Sequence, residues 1–401
     1  MKTGSSRFKK VDNLGYGYLA VLVVKNKNVA SSTRERNRDA RKEDNEQNDI
    51  PEYQELRETI DDGFVTLTPL LPNIPLEYAF WIKDGKEPRG VAVRFDITVI
   101  GFVNHLLVIE TNTGEVKRKI ENILFRNIHS VNFSKKNQDR VLVTCTGTES
   151  ILEIDINTEK VCWEWCAWDN GFNTNPSELT LVRSGKEENI KTKIFLTYDE
   201  LKEKVVKRQS CAGYAMSIDM NDITHLLGLE KWQKSVDPNW ATYGHDDETI
   251  LATFLHGGVA VKINKNNGQV IVLRKGLERP HGLITYRNGY VVSDTGNGAV
   301  LILNKNGRPY EKVNFSDLDS HNNNEDKEWI QNTHHLDCGL LATIDSKRNN
   351  IYIWDPTKKT YSVLPFPENY ALQSVRSVYR PGSPTINWWE AANTSKKRSQ
   401  V

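Results

Sequence analysis

The chain is short of cysteine, of excess charge and of long apolar runs, and each shortage removes a class of protein. Five cysteines among 401 residues, an odd number with no tight framework, argue against a disulfide scaffold and for free thiols in a reducing compartment. Cys162 and Cys166 flank Trp163-Glu164-Trp165, but no second close pair completes a four-thiolate zinc site. Lys and Arg total 53 against 52 for Asp and Glu, a formal net charge of +1, whereas a nucleic-acid binder carries a basic excess. No segment reaches the ~18 apolar residues of a membrane span. The short apolar stretch from Tyr18 to Val24 has no small-residue cleavage site after it. These readings place the protein in the cytoplasm, with neither a nucleic-acid nor a membrane partner. The sequence also lacks a P-loop and a G-x-S-x-G nucleophile elbow.

What is present is a repeat. Similar polar turns recur at Glu110–Val116, Asp155–Val161, Asn264–Val270, Asn304–Tyr310 and Asp355–Tyr361. Each supplies the Asn, Asp or Gly that tight hairpins need. Each follows an alternating apolar run: HLLVIE, SILEID, GVAVKIN, AVLILN and NIYIWD. Period-two alternation marks strands with one buried face. Another strand precedes each run, and a short inner segment precedes that. This is the grammar of a four-stranded propeller blade, and the turns are one blade length (about 40–50 residues) apart, except between residues 155 and 264. That gap is near two blade lengths, so 172–222 holds either a poorly marked blade or an insertion, and TYDELKEKVVKR within it, which reads as helical, favours the insertion.

The predicted fold is therefore an all-β β-propeller. Six blades is the preferred count, with five or seven as alternatives. VRSVYR near the C-terminus and strands near the N-terminus would complete one blade together, which removes exposed sheet edges. Residues 1–29 contribute a strand region and 51–390 the propeller. Residues 30–50 read as a disordered charged loop, because they cannot bury enough apolar surface to fold. Residues 391–401 read as a flexible tail.

Histidines recur with the repeat. His129, His225, His281 and His334 each fall at the start of an inner segment, and Gly90 takes that place in the first repeat. Rotation about the propeller axis would bring the four imidazoles together as ligands of a divalent transition metal. Iron ranks ahead of zinc or manganese, and Gly90 would leave room for a small-molecule substrate in the central channel. His256, near a turn, could line the channel mouth. Glu149 and Asp294 are candidate acid/base or supporting groups. Trp163, Trp165 and Trp168 form an aromatic patch, read as packing between blades or as a substrate platform. The expected function is a metal-dependent enzyme, activating oxygen or water or acting as a Lewis acid. The alternative is a non-catalytic propeller that binds a small ligand or a protein.

Three resemblances accompany this reading. THLLGL, HGGVAVKIN, RPHGLI and SDTGNG, between Thr224 and about Ile302, resemble in order the motifs of a family of bacterial propeller proteins with no assigned activity. ESILEIDINTEKVCWEW is similar to the strand-turn-strand of arylsulfotransferase propellers. That similarity implies group transfer through a channel histidine, with His129 or His281 as its counterpart. One histidine per blade is also similar in geometry to carotenoid oxygenases, which hold ferrous iron with four histidines.

Overall fold

Alternating runs and turn residues become strands and hairpins throughout a computed structural model. It describes residues 8–11, 18–25, 62–69, 82–86, 88–111, 113–190, 192–206, 209–222, 235–318, 328–336, 339–366 and 370–378. The charged loop at 30–50, the tail at 391–401, and His225 lie outside the described residues.

Five antiparallel sheets hold four strands, and a sixth holds four plus an added outer strand, Lys9–Lys10, paired in parallel with Thr360–Pro365. The inner strands are Gly90–Arg94, Ile128–Phe133, Pro238–Tyr243, His281–Tyr286, Ile330–His335 and Tyr370–Ser377. Each neighbours the next in that order, and the last returns to the first. The ring therefore closes with six blades.

Closure uses both ends of the chain. Tyr370–Ser377 pairs antiparallel with Tyr18–Lys25, which continues into Asp62–Pro69 and Ile82–Lys86. The run Leu19 to Val23 is apolar throughout because neighbouring blades cover both of its faces, and every one of its side chains is buried. Truncating one, as in Leu22→Ala, should cost about 2–5 kcal/mol. The outer strand Val116–Glu121 faces water instead, and it reads VKRKIE with only Ile120 buried.

Between the second and third blades the chain leaves the ring. Thr180–Arg183, Tyr214–Ile218 and Ile194–Phe195 form a small parallel sheet beside a helix at Tyr198–Val206. The helix begins with a capping box. The Thr197 N–H donates to Glu200 at 2.7 Å, and the Glu200 N–H donates to the Thr197 hydroxyl at 3.3 Å. The inner strands on either side of this excursion touch directly, so it interrupts no blade contact.

Glycine sits where adjacent inner strands approach most closely. A Cβ on Gly90 would lie 2.8 Å from the Val131 nitrogen, and one on Gly282 would lie 2.9 Å from the Asn332 Cβ. The space beside Gly90 is thus filled by the neighbouring blade, and it is not the open position expected for a substrate.

Candidate axial site

The leading ends of the inner strands share a local irregularity. In four of them the pairing skips one residue: His129, Asn239, Gln331 and Gln373. In the His281 strand the slip falls just after that residue. Such bulges re-aim a side chain, and they concentrate near functional sites. A second mark agrees with the register. Asn127, Asp237 and Arg279 adopt positive φ (53°, 55° and 50°), each two residues before His129, Asn239 or His281.

Arg89 precedes Gly90 in the bulge-free strand and joins the same level, because its Nη1 lies 3.0 Å from His129 Nε2. One polar residue per blade results: Arg89, His129, Asn239, His281, Gln331 and Gln373. Asn239, His281, Gln331 and Gln373 are buried, and Arg89 and His129 are half-buried.

The hydrogen bonds fix chemical states. A guanidinium only donates, so His129 Nε2 accepts from Arg89 and carries the lone pair. His281 Nδ1 lies 3.0 Å from the Arg279 carbonyl and 2.9 Å from the Thr295 hydroxyl. The carbonyl can only accept, and the Thr295 hydroxyl donates to the Ile330 carbonyl at 2.7 Å. Nδ1 therefore bears a proton, and in the neutral imidazole the lone pair is on Nε2. The two imidazole centroids are 6.0 Å apart, and the Trp329 ring is 6.3 Å from His281. Gln331 accepts from Trp329 Nε1 at 2.7 Å. Gln373 Nε2 is buried with no partner among the described residues.

His129 and His281 are thus brought together, whereas His334 is not at their level. Aligning the repeats on the next apolar residue put His334 in register. The bulge at Gln331 shows that Gln331 holds that position, with His334 three residues farther along the strand. His334 sits beside Arg376, and burial, then Arg376 and His335, hold its pKa well below the usual histidine value. No group of three or more His, Cys, Asp or Glu placed to hold one metal ion occurs among the described residues.

The remaining candidates have structural partners. Glu149 is buried, and it accepts from Trp168 Nε1 (2.7 Å) and from the backbone N–H groups of Ser235, Val236 and Asp237 (2.9, 2.8 and 2.7 Å). Burial pushes its pKa up, against the hydrogen bonds from Ser235, Asp237 and Trp168. With its lone pairs filled it has no capacity left for a substrate proton. Asp294 accepts from the Glu278 N–H at 2.7 Å and from Asn297 at 3.0 Å, fastening the approach to its own blade's inner strand. His256 lies 3.4 Å from Asp237, which belongs to the segment that Glu149 grips. The tryptophans pack between blades. Trp163 donates to the Lys265 carbonyl at 2.8 Å, and Trp165 stacks on Phe254 with centroids 5.6 Å apart.

Sequence reasoning missed Arg89, Asn239, Gln331 and Gln373. Three of the six positions share a signal, a proline before the ring residue: Pro88-Arg89, Pro238-Asn239 and Pro280-His281.

No protein-family model matches the chain, and no curated protein matches it in sequence, so neither the bacterial propeller family nor the arylsulfotransferases gain support. Among solved structures, three propellers are similar to the chain. Streptogramin B lyase is 12% identical over 70% of each chain, with a TM-score of 0.42. Virginiamycin B lyase from Staphylococcus aureus is 11% identical over 70% of each chain, with a TM-score of 0.41. The β-propeller domain of Cps50 (Swd1) from Myceliophteria thermophila is 11% identical over 66% of each chain, with a TM-score of 0.39. Among the described residues, no helix is long and apolar enough to cross a membrane.

Proposed function

We propose that the chain is an enzyme that performs acid–base chemistry on a small molecule at the leading end of the propeller axis. The observation that carries this reading is the anchoring of His281 Nδ1 by the Arg279 carbonyl and Thr295, which leaves Nε2 as the basic atom. In this reading Nε2 removes a proton from the substrate and becomes imidazolium. The electron pair released develops as negative charge on a substrate oxygen, and the Arg89 guanidinium, steadied by His129, stabilises it. The imidazolium then returns the proton to the leaving group or product. Elimination, isomerisation and hydrolysis all follow this scheme.

A divalent transition metal is the second reading, and the 6.0 Å separation of the His129 and His281 rings favours it. Imidazole ligands at about 2.0–2.1 Å from one ion are compatible with that spacing. Iron, zinc or manganese would act there as a Lewis acid or activate a bound oxygen species. Arg89 opposes it, because a guanidinium on His129 Nε2 competes with a cation for the same lone pair.

The test is a turnover screen across small esters, lactones and hydroxy acids, paired with elemental analysis of protein purified under metal-sparing conditions. His281→Ala should lower turnover about 10²–10⁴-fold while ligand binding survives. Equal turnover by wild type and variant would sink the acid–base reading. A stoichiometric metal lost in His281→Ala would put the second reading first. Saturable ligand binding with no turnover in either protein would leave a binding module.

A further inference from the structure

Three residues beyond the ring, on the same inner strand as Gln373, lies Arg376. It is 4% exposed, yet it reaches across the axis. Its Nη2 donates to Asn132 Oδ1 at 3.0 Å and to the Val131 carbonyl at 3.4 Å, two blades away. Its guanidinium carbon stands 5.0 Å from the centre of the Trp240 ring, on the blade diametrically opposite. Its Nη1 donates to the Ser374 hydroxyl and the Val375 carbonyl at 3.2 and 2.8 Å.

All four acceptors are neutral. Among the described residues no carboxylate accompanies this cation, and burial alone acts on its pKa, bringing it down to about 9. Arg376 is therefore charged at neutral pH. A buried charge is retained at large cost unless an opposite charge meets it. Stacking on Trp240 offsets only part of that cost. His334 beside it, held neutral, adds no second charge. Gln373 Nε2, on the same strand, is a buried donor that also lacks an acceptor. A cation and a neutral donor both lacking an anionic acceptor point to one kind of ligand group.

We propose that Arg376 is the seat of an oxyanion, a carboxylate or a phosphate, bound on the propeller axis. This rests on the acid–base reading only in making that anion part of the substrate, which then extends from Arg376 towards His281 and Arg89. All four Nη hydrogens already reach neutral acceptors, so the oxyanion takes over the Nη2 donors from the Val131 carbonyl and Asn132 Oδ1, exchanging neutral acceptors for a charged one, carboxylate or phosphate alike.

The experiment is thermal unfolding of the full chain during titration with inorganic phosphate, acetate or succinate. Chloride at matched ionic strength and glycerol serve as controls. A rise in Tm that grows with the logarithm of ligand concentration, about 3 °C at a hundredfold excess over Kd, is expected for at least one oxyanion and not for the controls. Phosphate alone, or the carboxylates alone, producing it identifies the class. Arg376→Gln should abolish the rise, and Arg376→Lys should retain a weaker one. Should Arg376→Gln fail to fold, the wild-type titration and Arg376→Lys still decide. No such rise with any oxyanion in wild type overturns the seat, as does a full rise in Arg376→Gln. His281→Ala separates the two ideas. Lost turnover with an intact anion response supports both, and unchanged turnover with an intact response keeps the seat while removing the base.

Discussion

The seam between the second and third blades and the propeller axis both bury polar groups, but they treat them differently. At the seam the two buried carboxylates are answered. Glu153 accepts from Tyr243 (2.8 Å), Lys265 (2.6 Å) and Arg140 (3.1 Å), and Glu149 accepts from one indole and three backbone N–H groups. On the axis Arg376 has only neutral acceptors, and Gln373 Nε2 has none among the described residues. A saturated buried network rigidifies and specifies a fold, whereas an unsaturated one carries an unmet desolvation cost. The difference separates groups that hold the blades together from groups that await a ligand.

Breaking the seam should produce the largest loss. Glu149→Ala strands four buried donors and should cost about 3–5 kcal/mol, read by urea denaturation, with turnover per folded molecule unaffected. Breaking the axial site should do the reverse. His281→Ala should lose most turnover, and its cost in stability should be smaller than that of Glu149→Ala in the same denaturation series.

A pH series sharpens the contrast further. His334 has a folded-state pKa well below its unfolded value, so the unfolded chain binds the extra proton in the window between the two. Stability is therefore present above pH ~6.5 and lost as pH falls through that window, at a limiting slope of about 1.4 kcal/mol per pH unit. His334→Gln should flatten this part of the profile. Gln373→Met should have the smallest effect on stability, from neutral to about 1 kcal/mol stabilising, because it removes a buried donor that has no partner. The same substitution should weaken anion binding.

Much of the ring was legible in the sequence, because period-two runs and Asn/Asp/Gly turns encode strands and hairpins directly. Strands from both termini could be joined because Leu19 to Val23 is apolar on both faces, as a strand enclosed by two blades must be. The site was legible only in part. His129 and His281 stand at their positions because turn signals next to them mark the strand start. His334 was drawn into register because apolar matching takes no account of a bulge, and one unpaired residue at Gln331 shifts the alignment. Arg376 has no local signature at all. Its importance comes from contacts with two other blades that only closure of the ring creates.

The direct test of an axial acid–base site is the protonation state of His281, read by long-range ¹H–¹⁵N NMR of imidazole-labelled protein. The account predicts a protonated Nδ1 and an unprotonated Nε2 at neutral pH, with the Nε2 resonance moving when a binding oxyanion-bearing ligand is added. A proton on Nε2, or a resonance indifferent to a ligand that demonstrably binds, would contradict it.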